Sequence, residues 1–134
     1  MLGDKLGNET GKVVLRRVLS AGSGGARTES TQRGKGTLLG VEYQDMSTYE
    51  SELRPDGTLL GTGQGIYMGK RGEMATWTGQ GVGTMSKNGG VSFRGAIYIY
   101  STSPKCKRLN AVASVFEYDV DANDNFKATL TEWK

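Results

Sequence analysis

Past residue 40 the chain alternates apolar and polar residues in long stretches, each ended by a strong turn signal. That two-residue period marks strands with one wet face. The stretches run Val41 to Leu53, Thr58 to Met68, Glu73 to Ser86, Val91 to Thr102, Leu109 to Val120 and Asn125 to Trp133. Between them stand Arg54-Pro55-Asp56-Gly57-Thr58, Gly69-Lys70-Arg71-Gly72, Asn88-Gly89, Ser103-Pro104-Lys105 and Asp121-Ala122-Asn123-Asp124. These are residues that preset or tolerate turn dihedrals. Upstream, Lys12 to Leu19 reads as a short strand, and Thr28 to Leu39 as a strand with a glycine kink at Gly34 or Gly36. Residues 1–11 read as a flexible N-terminus and 21–27 as a glycine-serine loop. No segment combines helical periodicity with caps. About eight strands in meander order predict an all-β fold, a single closed antiparallel up-and-down barrel spanning residues 1–134.

Two of these strands carry glycine at every second position, Gly61-Thr62-Gly63-Gln64-Gly65 and Gly79-Gln80-Gly81-Val82-Gly83. Residues two apart share a face, so each run clears a lane of side chains. Such a lane weakens a strand unless the sheet bends sharply there or something bulky fills it. With Ser86 opposite Val91 and Met68 opposite Glu73, Gly79 lies opposite Tyr98, Gly81 opposite Ala96 and Trp77 opposite Tyr100. The 55–57 turn places Tyr49 opposite Gly63, and aromatic rings opposite strand glycines are a known compensation. In this register Tyr49, Leu59, Tyr67, Thr78, Gln80 and Phe93 face the interior, while Glu50, Glu52, Trp77, Arg94, Tyr98 and Tyr100 face out.

Composition narrows the chemistry. Glycine supplies 21 residues and proline 2, without the three-residue period of collagen. The net charge is +3, and its basic residues fall in scattered pairs such as Arg16/Arg17 and Lys107/Arg108. No dense basic stripe marks a nucleic-acid partner, and no apolar run approaches the roughly 18 residues of a membrane span. Cys106 is the sole cysteine, so no intrachain disulfide or multi-cysteine zinc site can form, and a start without an apolar leader reads as cytoplasmic. Histidine is absent, which removes Ser-His-Asp triads, imidazole bases and His-ligated metals. Chemistry would rest on carboxylates, tyrosine, lysine or Cys106; no catalytic residue, metal or cofactor is assigned.

The individual motifs mostly read as structure. Neither glycine run opens a helix as a dinucleotide loop does, and Gly34-Lys35-Gly36-Thr37 lacks the order of a phosphate loop. Asp119 to Asn123 resembles half a calcium loop, but its sixth position would be Asp124 and its twelfth Leu130, so it reads as a turn. Cys106 between Lys105 and Lys107 has no base partner to make it a nucleophile. Glu50 and Glu52, which point the same way, and Glu73 and Glu117 are strand carboxylates of the kind that serve proton transfer, yet Glu50 and Glu52 share a face with Thr62 and Gln64 and such positions read as solvated.

With the strands placed, the chain resembles small bacterial proteins of the allene oxide cyclase-like, broadly calycin-like, barrel. The resemblance rests on Arg54-Pro55-Asp56-Gly57-Thr58, on Gly61 to Gly65, and on Trp77-Thr78-Gly79-Gln80-Gly81-Val82-Gly83-Thr84, within residues 37–102. It implies a group mostly of unassigned function, related to a plant cyclase that shapes an unsaturated fatty-acid epoxide in its lumen. None of that enzyme's pocket residues maps onto a position here. The expectation is a homo-oligomeric barrel that holds a small, largely apolar molecule, with Tyr49, Tyr67, Thr78, Gln80 and Phe93 lining the site. The alternatives are a lumen enzyme of cyclase or isomerase type, which needs a buried carboxylate or tyrosine, and a homo-oligomeric interaction protein whose Trp77/Tyr98/Tyr100 surface forms the interface.

Overall fold

The computed structural model describes residues 1–134. Eight antiparallel strands follow one another around a closed barrel: β1 Leu2–Ser20, β2 Arg27–Leu38, β3 Val41–Leu53, β4 Leu59–Gly69, β5 Met74–Met85, β6 Val91–Tyr100, β7 Ala113–Val120 and β8 Asn125–Trp133. β8 pairs back onto β1, from Leu2↔Trp133 to Lys12↔Asn125, so no edge is left along that seam. The expected all-β meander is what forms. Its N-terminus differs: residues 2–11 belong to β1 rather than to a flexible tail, because they pair with β8 on one side and, from Gly7 onward, with β2 on the other. Within the β6–β7 connection a short 3-10 helix, Lys107–Ala111, presents Leu109 inward.

Four connections use one hairpin. Residues 55–57, 70–72, 87–89 and 122–124 are three-residue loops closed by Arg54/Thr58, Gly69/Glu73, Ser86/Gly90 and Asp121/Asn125 backbone bonds. In each the third loop residue has positive φ: Gly57 at 88°, Gly72 at 86°, Gly89 at 91° and Asp124 at 68°. This is the turn followed by a left-handed residue that matches the twist of antiparallel strands. Asp121 also accepts the amide protons of Asn123 and Asn125, so the acidic stretch is a turn.

The hairpins correct the register read from sequence. Met85, not Ser86, lies opposite Val91, and Met68 lies opposite Met74, which sets Gly81 opposite both Gly61 and Gly95 and Gly79 opposite both Gly63 and Ile97. Tyr49 does lie opposite Gly63. A slip of one residue turns a strand over, and β5 is the strand affected. Thr78 and Gln80 are exposed outside, while Trp77 points inward against Ser47.

Both ends of the barrel are packed. At one end Val13, Leu59, Phe93, Tyr118, Val120 and Phe126 form an apolar layer. At the other, Leu6, Leu38, Tyr43, Tyr67, Ile97 and Ile99 pack with Cys106 and Leu109 from the connection that carries the 3-10 helix. Rings occupy the glycine lanes between them. A Cβ on Gly63 would lie 2.9 Å from the Trp77 ring, and one on Gly81 would lie 2.8 Å from Phe116, so only glycine lets these rings reach the wall.

Candidate functional site

Between the two apolar layers the lumen holds a cavity of about 80 Å³. The aromatic rings of Tyr49, Trp77, Phe93, Phe116 and Tyr118 line it together with the backbone of the glycine lanes. Tyr49, Trp77 and Phe116 point inward yet are only half-buried, as expected of a lumen its side chains do not fill. Seven rings in all, with Tyr43 and Tyr67 beside these five, and several glycines favour a flat or compact apolar occupant, and the volume sets its scale at a handful of heavy atoms.

One wall is polar. Along β3 the residues Tyr43, Asp45, Ser47 and Tyr49 share the inner face, and Gln32 on β2 and Glu9 on β1 face them. Asp45 collects donors: Gln32 Nε2 donates to Oδ2 at 2.9 Å, and Ser47 Oγ donates to Oδ1. Each donor is itself held. The Tyr118 hydroxyl donates to Gln32 Oε1 at 2.6 Å, and Trp77 Nε1 donates to Ser47 Oγ at 3.1 Å. The Tyr49 hydroxyl stands 3.4 Å from that of Tyr118. The arrangement therefore links three cavity-lining aromatics to one buried carboxylate.

Glu9 is the acid of this group. It borders the cavity, is 6% exposed, and receives the Tyr43 hydroxyl at 3.4 Å on Oε1. Its Oε2 meets no donor. Burial first, and then hydrogen bonding and repulsion from Asp45, raise its pKa to about 10, which the Tyr43 bond offsets only in part. Glu9 is therefore protonated at neutral pH. The phenols of Tyr43, Tyr67 and Tyr118 are likewise held in their neutral form by burial.

The residues expected from sequence divide. Tyr49, Tyr67 and Phe93 line the cavity. The Thr78 side chain lies outside, and Gln80 reaches the cavity wall while its side chain is exposed on the outer face. Of the aromatic trio, Tyr98 and Tyr100 are exposed and Trp77 is in the lumen, so the three do not share a surface. Glu50, Glu52, Glu73 and Glu117 are half-buried or exposed. Glu50 is tied to Arg27 and Glu117 to Arg94, outside the lumen. Cys106 is buried, and burial pushes its thiol up, the opposite of what a nucleophile needs. Glu9, Gln32, Asp45 and Ser47 were not anticipated. Their signal was parity: Asp45 and Ser47 alternate in step with Tyr43 and Tyr49.

No family model matches the chain, and no curated protein matches it. Solved structures do. A protein of unknown function from Clostridium acetobutylicum superposes with a TM-score of 0.84 at 15% identity, covering 98% of this chain and 98% of that one. A β-barrel-like protein from Acinetobacter baumannii gives 0.83 at 12% identity, covering 100% of this chain and 96% of its own. An enzyme from Penicillium herquei gives 0.71 at 13% identity, covering 96% of this chain and 92% of its own. Likeness at such identities is a likeness of fold.

Proposed function

We propose that the barrel takes a small, largely apolar molecule bearing one oxygen acceptor into its lumen and presents Glu9 to that oxygen as a proton donor. The observation that supports this most is Glu9 itself, a carboxyl kept neutral to about pH 10 at the edge of an aromatic cavity. A neutral acid in an apolar site is the arrangement that stabilises oxygen-centred charge as it develops. The class of reaction is isomerisation through an enol: one oxygen of the Glu9 carboxyl gives its proton to the substrate oxygen while the other takes the α-proton, which regenerates the acid, and Tyr43 holds the carboxyl in place. This reading agrees with the allene oxide cyclase-like resemblance and with the fold's occurrence in an enzyme from Penicillium herquei.

The second reading is a carrier that binds without chemistry, favoured by the predominance of rings and glycines in the lining. One set of measurements separates the two. Small cyclic ketones and hydrocarbons of matched size are titrated by thermal shift, and α-proton exchange of the ketones in D2O is followed by NMR. We expect ketones to raise Tm with concentration more than hydrocarbons do, and Glu9→Gln to slow exchange by about 10²-fold or more. Binding without exchange supports the carrier. A flat Tm across the whole panel overturns both.

A further inference from the structure

The outer wall carries a second concavity, unconnected with the acid in the lumen. Over the outer faces of β2 to β6 lies an open hollow of about 730 Å³. Cross-strand neighbours build its floor in two rows. Thr48, Gln64, Thr78 and Tyr98 follow one another across β3 to β6, and Glu29, Glu50, Thr62, Gln80 and Ala96 do so across β2 to β6. Outside the backbone, Ala96 is the one aliphatic side chain lining it and Tyr98 the one ring.

The chemistry of this floor excludes several partners. It has no methionine, leucine or phenylalanine to anchor a protein interface. Its lining has no lysine or arginine to hold phosphates. Its two carboxylates, Glu29 and Glu50, lie directly opposite one another, an arrangement that is destabilising when uncompensated. Each is held by an arginine, Arg17 on Glu29 at 2.9 Å and Arg27 on Glu50 at 2.6 Å. Their charge is thereby balanced, and their spare lone pairs remain as fixed acceptors.

We propose that this hollow binds a neutral carbohydrate. Vicinal hydroxyls both donate and accept, and the facing groups do the same: amides of Gln64 and Gln80, hydroxyls of Thr48 and Thr78, and oriented carboxylates. A pyranose also has an apolar face of C–H groups, which the exposed ring of Tyr98 can cover. An open trough across five strands admits a chain of several sugar units.

The test is isothermal titration of the protein with maltohexaose, cellohexaose, chitohexaose and mannohexaose, beside sedimentation velocity. Saturable binding of at least one hexaose is expected, weakened tenfold or more by Tyr98→Ala and abolished by Thr78→Lys, which sets a cation in the trough. Both positions are exposed, and circular dichroism checks that the variants fold. Failure of all four sugars to bind, or binding indifferent to Tyr98→Ala, overturns the proposal. So does loss of an oligomer in the Tyr98→Ala variant without sugar binding, which would assign the trough to a second copy of the chain.

Discussion

A carboxyl that keeps its proton to about pH 10 in the folded chain and releases it in its ordinary range when unfolded ties folding to proton uptake. Because the folded pKa lies above the unfolded one, the stabilisation is complete below about pH 4.5 and is lost as pH climbs toward 10. The slope approaches about 1.4 kcal/mol per pH unit at most. Urea midpoints of the native chain should therefore fall steadily from pH 5.5 to pH 9, and those of Glu9→Gln should stay nearly level. Equal slopes would show that Glu9 ionises freely. At the acid end the sign reverses: Asp119 and Asp121 have lowered pKa values, held down by Ser92, Arg94 and backbone amides of Asn123 and Asn125, and their contribution disappears as they protonate. Neither Glu9 nor Asp45 was legible as a site, because a charged residue in an alternating strand reads as its wet side. Only the closed register, which puts Glu9, Gln32 and Asp45 on one inner wall, shows that these strands have their polar residues inside.

The four three-residue hairpins place their whole conformational demand on one position. Gly57 has φ 88° and nothing within 4 Å of a would-be Cβ, so Gly57→Ala isolates the strain of the left-handed state. We expect it to lower stability by roughly 1 kcal/mol in urea denaturation. Gly22→Ala, with open space and no such φ, should stay within about 0.5 kcal/mol. The strands themselves were legible from alternation, and so was the 55–57 turn, where proline and glycine fix the loop length. The 70–72 and 87–89 loops were not, since Gly-Lys-Arg-Gly and Lys-Asn-Gly-Gly each offer two glycines and hence two closures one residue apart. Two such slips in succession shift β6 by two residues against β4, which restores its face, so Phe93 reads as interior in both registers while Trp77, Thr78 and Gln80 are inverted.

At the scale of the molecule the lumen depends on its closed ends. Leu109 is 1% exposed and packs in the layer with Leu38 and Tyr67, although it comes from a connection and not from a strand. Leu109→Ala should lose about 2–5 kcal/mol in urea and speed amide exchange in the β6–β7 connection before the sheet itself opens. Unchanged exchange there would mean that the strands alone seal this end. The barrel as a whole was legible because glycine lanes and meander turns agree on one topology. The contents of the barrel were not, since they depend on pairings across the full length of the chain.

The seam between β1 and β8 sets Glu9 opposite Ala128, more than a hundred residues later in synthesis. With that seam open the acid would be wet and ionised like any solvated glutamate. Closing the wall around Glu9 therefore takes up a hydrogen ion, and refolding should be slower in alkaline than in mildly acidic buffer, a difference that Glu9→Gln removes.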